Sequence, residues 1–224
     1  ALQQQNFQVK SGAKFDRKGD ICDFTFEKQF TDGRKSAWQM PRADFDKTLA
    51  DECERMGIPV AYRNEVTAID ISADGSSITT VKDEHDEVYQ IKAKFIVDGS
   101  GYGRVIPRLF NLERPSSQPP RKTLFAHMTD PRRLENEEPN RIVVYVHQDD
   151  CWIWTIPFAN GITSVGYVSN PDFVEKYTGS PTAQFSAMLA DEPALAERFK
   201  EAKLVFEPRS LQNWSVTSDT FYGN

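Results

Sequence analysis

The stretch Phe95-Ile96-Val97-Asp98-Gly99-Ser100-Gly101-Tyr102-Gly103-Arg104 constrains the fold more than any other part of the chain. Three apolar residues, an acid and three closely spaced glycines predict a buried strand over 95–97, a glycine turn, and a helix running to about Phe110. An acid at a strand end can hydrogen-bond hydroxyls. Glycines let a backbone approach a phosphate, and a helix start offers free N–H groups and the positive end of a dipole. The spacing Gly99-x-Gly101-x-Gly103 departs from G-x-G-x-x-G, and no acid follows at the distance a dinucleotide fingerprint requires. Two readings stand: a plain strand-to-helix connection, or a nucleotide-binding edge. Both place the chain in the mixed α/β class, with nucleotide-side scaffold before this stretch and a substrate-side sheet after it.

Ahead of this stretch, residues 7–40 alternate apolar and polar, with Phe7, Val9, Phe24, Phe26, Trp38 and Met40 on the apolar beat. They predict antiparallel strands turning at Gly19-Asp20 and Asp32-Gly33. Pro41 opens a helix in which Phe45, Leu49, Cys53 and Met56 recur at helical spacing as a core stripe, closed by Gly57. Arg42 sits at that helix start, where an acid would suit the dipole better. A solvated cation and a phosphate or sugar contact are both open there. Residues 59–62 read as a short strand. A three-stranded meander follows over 66–71, 78–81 and 88–91, turning at Asp74-Gly75 and at 82–87, where His85 is a solvated loop residue.

Beyond it, the proline- and arginine-rich loop 113–123 marks a boundary, dividing the chain into 1–112 and 113–224. Runs at 124–128, 142–147, 151–157 and 162–168 predict an antiparallel sheet, with Asn160-Gly161 as a hairpin turn. His127 and His147 fall on these strands. Neither has metal-ligand spacing to Asp149 and Asp150, so no metal site is expected and the two histidines read as structural or pocket-lining. Ser180-Pro181 opens a helical region to 202, broken near Pro193, with Phe185, Met188, Leu189, Leu195 and Phe199 as core or as a lid over the sheet. The tail, 204–206 and 214–222, reads as strand.

Charge and length narrow the function classes. At 224 residues with a formal net charge of -6, the chain can bury a sizeable core and does not favour a nucleic-acid partner. It has no run of 18 apolar residues to span a membrane. Its three cysteines, Cys22, Cys53 and Cys151, are odd in number and far apart, which points to a reducing compartment and a cytoplasmic location. Both ends read as cut from a longer protein.

The text most specific to a chemistry is Trp152-Ile153-Trp154-Thr155-Ile156-Pro157. Two tryptophans two apart on a strand face the same side. They either fill a core or form a rigid aromatic wall beside a ligand. This run resembles the W-x-W-x-I-P signature of flavin-dependent halogenases, and the hairpin Gly161 to Val168 is similar to theirs. Pro41-Arg42-Ala43-Asp44-Phe45-Asp46 and Val97-Asp98-Gly99-Ser100-Gly101 resemble segments of that family and of the wider flavin-monooxygenase superfamily, in the same order.

The resemblance implies part of a Rossmann-like FAD-binding domain joined to an antiparallel substrate domain. It implies an oxidoreductase in which reduced FAD and oxygen convert halide to hypohalous acid. The substrate would be aromatic or carrier-tethered, with a separate flavin reductase as partner. Arg42 would contact the ribose–phosphate side of FAD, Val66 its adenine end, and Asp98, Gly99 and Gly101 the cofactor beyond the strand. Trp152, Trp154, Ile156 and Pro157 would wall the flavin side and disfavour direct monooxygenation. The family's N-terminal G-x-G-x-x-G, its relay lysine, its later Gly-Asp segment and the loop at the flavin ring have no counterpart here. No lysine of this chain therefore takes the catalytic role, and the chain alone is expected to be inactive. Two alternatives remain: a geranylgeranyl-reductase-type flavoenzyme, and a non-catalytic module that binds an apolar ligand.

Overall fold

The computed structural model describes residues 1–135 and 138–220. In chain order the strands are β1 (Gln8–Lys10), β2 (Gly12–Arg17), β3 (Asp20–Thr25), β4 (Ala37–Gln39), β5 (Glu65–Ile71), β6 (Ser77–Lys82), β7 (Val88–Ala93), β8 (Glu113–Arg114), β9 (Lys122–Thr129), β10 (Ile142–Gln148), β11 (Cys151–Pro157), β12 (Ile162–Ser169), β13 (Arg209–Gln212) and β14 (Thr217–Ser218). The helices are α1 (Arg42–Arg55), α2 (Val105–Leu109), α3 (Pro171–Glu175), α4 (Pro181–Ala190) and α5 (Pro193–Arg198).

The chain divides into two compact units, Ala1–Glu52 with Pro119–Asn213, and Cys53–Gln118 with Trp214–Asn224. They do not follow the expected split into 1–112 and 113–224. The chain does change unit next to the proline-rich loop, but its first 52 residues group with the later sheet. A ladder explains this: β2 runs parallel to β10, with Ala13 opposite Ile142 and Phe15 opposite Val144.

The first unit is built on a seven-stranded sheet in the order β13-β9-β12-β11-β10-β2-β3. The four strands expected after residue 123 all form. Asn160-Gly161 makes the β11–β12 turn, with Gly161 at φ 81° and the Ile162 N–H donating to the Asn160 side chain at 3.1 Å. Alternation along β9, β11 and β12 sends Leu124, Ala126, Ile153, Val165 and Tyr167 to one face. Phe185, Met188, Leu195 and Phe199 from the helical region join them in a single buried core. Ser180 caps α4 by accepting from the Ala183 N–H, as the sequence predicts, and at the expected break Pro193 opens α5. Under α5 lies a buried ion pair. Arg198 donates to Asp130 at 2.5 Å, and the Thr163 hydroxyl donates to the same carboxylate at 2.7 Å.

The second unit holds the expected meander, β5-β6-β7, with Gly75 at φ 80° in its first turn. His85 is exposed in the second turn. A two-stranded ladder pairs β8 with β14.

Four expectations fail. Residues 95–97 form no strand, and Phe95 and Val97 are 79% and 82% exposed. An extended run becomes a strand only when a neighbour takes its N–H and C=O groups, and no described strand does so here. The 59–62 segment likewise pairs with nothing described. In α1 only Thr48 is buried; Leu49 is 42% exposed and Met56, just past the helix end, 64%, so the apolar stripe is not core among the described residues. Gly57 does close that helix, at φ 80°. In the tail, 204–206 contributes a single bridge from Leu204 to Met128, and 214–222 is strand only at β14. Residues 221–222 of that expectation lie outside the described residues.

Candidate functional site

The aromatic wall is a row structure on the face of the seven-stranded sheet opposite the helices. Along β11 burial alternates, so Trp152, Trp154 and Ile156 share one face and stay half-buried. Pro157 does not join them. It pairs with Thr163 on the core side, fully buried, and its carbonyl accepts from Gln39 Nε2 at 2.5 Å. A residue one step out of phase on a strand must face the other way, so the four-residue wall becomes three.

Cross-strand pairing sets the neighbours. Trp154 lies opposite Gly166, which lies opposite Phe125; Ile156 lies opposite Ser164, which lies opposite His127. The Trp154 N–H donates to the Ser164 hydroxyl at 3.1 Å, and its ring lies over Gly166 where a Cβ would overlap it. The sequence holds a signal for this: a lone glycine inside a strand marks close approach. Phe125 packs 6.3 Å from Trp154, and Phe206 packs 6.4 Å from Phe125 and 4.8 Å from His127. Arg121 stands 5.5 Å over Trp152. Phe125, Ser164, Gly166 and Phe206 are the members of this face that sequence reasoning missed.

The second candidate lies in the other unit, at the glycine turn. Both Asp98 oxygens are hydrogen-bonded there. Its two oxygens accept the Ser100 N–H at 2.8 Å and the Ile106 N–H at 2.9 Å. Partial burial would raise its carboxyl, but bonds from Ser100 and the Ile106 N–H outweigh that and hold it below the ordinary 3.8. The Val105 N–H donates to the Ser100 hydroxyl at 3.0 Å. The first turn of α2 therefore does not offer the free N–H groups expected of it, because Ser100 and Asp98 already take them. The turn itself remains approachable: a Cβ at Gly99 or Gly101 would meet nothing within 4 Å. Asp98 and Gly101 line a cavity of about 760 Å³, walled by Ile69, Phe95, Ile106 and Phe110.

The remaining candidates are placed as follows. Arg42 is the first residue of α1, exposed, with a two-point contact to Asp46 one turn on, at 3.0 and 3.1 Å. That neighbour offsets the unfavourable cation at the helix start. Val66 sits in β5 beside a register shift that leaves Thr67 outside the ladder. Such a bulge re-aims backbone groups. His147 pairs with Glu192 at 2.9 Å rather than with Asp149 or Asp150. Among the described residues no cluster of three metal-ligating side chains occurs. None of the described helices is long and apolar enough to cross a membrane.

The class this architecture defines is visible in solved structures. A flavoprotein/dehydrogenase from Cytophaga hutchinsonii superposes with a TM-score of 0.94 at 46% identity, over 99% of this chain and 54% of that one. The flavin-dependent halogenase CmlS superposes with a TM-score of 0.83 at 25% identity, over 98% of this chain and 40% of its own. The profile of the tryptophan halogenase family matches residues 7–214, and the chain belongs to that family. A 1H-pyrrole-2-carbonyl peptidyl-carrier-protein brominase of Pseudoalteromonas luteoviolacea is 26% identical over 194 residues. That alignment takes in 84% of this chain and 46% of the brominase, so the chain spans about half the length of that relative.

Proposed function

We propose that this chain works in an FAD-dependent halogenase, or a halogenase-like oxidoreductase, acting on an aromatic or carrier-tethered small molecule in the cytoplasm. The observation that carries the reading is the pair Trp152 and Trp154, facing one side of the sheet in a chain of this family. Such a face offers flat apolar contact to an aromatic ring. The carrier-tethered alternative draws support from the brominase relative, whose name specifies a pyrrole held on a peptidyl-carrier protein.

The residues present fit FAD in part. Gly99 and Gly101 leave open space that a cofactor could fill, and each Asp98 oxygen keeps a second lone pair for a hydroxyl. The first turn of α2 does not fit a phosphate, since its N–H groups are already bonded. In this proposal Arg42, Val66, Asp98, Gly99 and Gly101 hold the cofactor and Trp152, Trp154 and Ile156 face the reacting ring. FAD, if bound and reduced by a separate flavin reductase, would react with oxygen and so supply the oxidation of halide. The chain's own part is to bind, to orient the ring and to keep water off the aromatic face. No lysine here takes a catalytic role.

The test is product mass spectrometry on the full-length protein that contains this chain, with FAD, NADH, a flavin reductase, oxygen and bromide, using phenol and a carrier-loaded pyrrole as substrates. A bromide-dependent mass gain supports the proposal. Oxygenation without halogen, or reduction of an alkene substrate without halide, would replace it with a monooxygenase or a geranylgeranyl-reductase-type activity.

A further inference from the structure

His127 is the one titratable side chain among the pairs that build the aromatic face between β9 and β11. It stands in the row His127–Ser164–Ile156, next to the row Phe125–Gly166–Trp154. Its imidazole is clamped between two phenylalanines, with ring centroids 5.1 Å from Phe158 and 4.8 Å from Phe206. Its backbone carbonyl is fixed by the Val205 N–H at 2.8 Å. Among the described residues neither ring nitrogen has a hydrogen-bond partner. Neither nitrogen is among the fully buried unpartnered side-chain atoms, so the ring edge stays open to an incoming ligand. Around it, Trp154 gives its N–H to Ser164, so that indole is not free to serve.

Burial, and then the nearby Arg209 cation, favour the uncharged imidazole. An uncharged imidazole presents one lone pair and one N–H, in the plane of a ring that the two phenylalanines hold still. A ligand that lies flat on tryptophan and directs a polar edge toward that lone pair must carry an N–H or O–H on its aromatic ring.

We infer that His127 accepts a hydrogen bond from the ring N–H or O–H of the aromatic ligand received by the Trp152–Trp154 face, and so selects which edge of the ring that face presents. This rests on the proposed aromatic substrate class and adds a requirement to it: pyrroles and phenols are taken, and rings without a donor are discriminated against. His127 is here a binding residue, with no proton transferred.

The test is a ligand-observed NMR titration of the protein with phenol and with anisole, in which a methyl group replaces the donor hydrogen. Phenol is expected to bind about tenfold more tightly than anisole, the factor one hydrogen bond to an otherwise unsatisfied acceptor confers. His127→Phe is expected to abolish that ratio while anisole binding is retained. His127→Gln, whose amide oxygen can accept, is expected to keep most of it. Equal binding of phenol and anisole to the wild type would overturn the inference and leave the aromatic-ligand reading standing. A ratio unchanged in a folded His127→Phe variant would do the same. Failure of both probes to bind would overturn the aromatic-ligand reading and this inference together.

Discussion

A Cβ at Gly166 would overlap the Trp154 indole, so one hydrogen in place of a methyl group decides how that ring lies. Gly166→Ala is expected to force the indole off β12, break its bond to Ser164 and cost about 1–3 kcal/mol as an overpacked site. Thermal unfolding together with tryptophan emission would report it; an unchanged emission maximum would mean the ring is not held by that approach. At His127 the expectation concerns pH. Burial first, and Arg209 second, lower its titration below the ordinary 6.5. A folded value below the unfolded one means that its share of stability is whole above about 6.5 and is lost as pH falls through the folded value. The imidazole C–H resonance should therefore titrate below 6.5, and Arg209→Gln should move it upward; a midpoint above 6.5 would contradict this environment. Residue types disclosed much of this scale. The same-face tryptophans follow from strand alternation, and the caps at Ser180, Gly57 and Gly161 follow from turn chemistry. The neighbours of Trp154 were hidden because they come from other strands: Ser164 and Gly166 lie ten and twelve residues on, and Phe125 lies 29 residues back. The engagement of Asp98 by Ile106, eight residues away, was hidden for a like reason.

Among elements, α5 is tied to the sheet through the Arg198–Asp130 pair beside β9, with side chains only 9% and 0% exposed. Removing one partner of a buried pair leaves the other charge uncompensated. Arg198→Met is expected to cost about 3–5 kcal/mol, and adding Asp130→Leu should recover much of it. Chemical denaturation of the two variants decides this; a single variant as stable as wild type would show that the pair is not what docks α5. Elements with strong local signals, such as the β11–β12 hairpin and α4, were legible because their hydrogen bonds are made within the element or with the next one in sequence. The 95–97 strand and the α1 core stripe were not, because an apolar pattern states what a segment needs and not whether a neighbour meets that need. Phe95, Val97 and Met56 remain exposed among the described residues. The parallel pairing of β2 with β10 spans more than a hundred residues, a separation that no local pattern encodes.

At the scale of the whole molecule, the first unit carries the aromatic face and Arg42, and the second carries Val66, Asp98, Gly99 and Gly101. Gly99 allows a clean test of the proposed cofactor placement, because a Cβ there would meet no protein atom within 4 Å. The measurement to make is the FAD dissociation constant of the protein, by quenching of flavin fluorescence, for wild type and for Gly99→Val. The account predicts that FAD binds, and that Gly99→Val weakens it about tenfold or more with the melting temperature unchanged, the scale of one lost close contact of 1.4 kcal/mol. An FAD affinity identical in the two proteins would contradict the placement of the cofactor at the glycine turn.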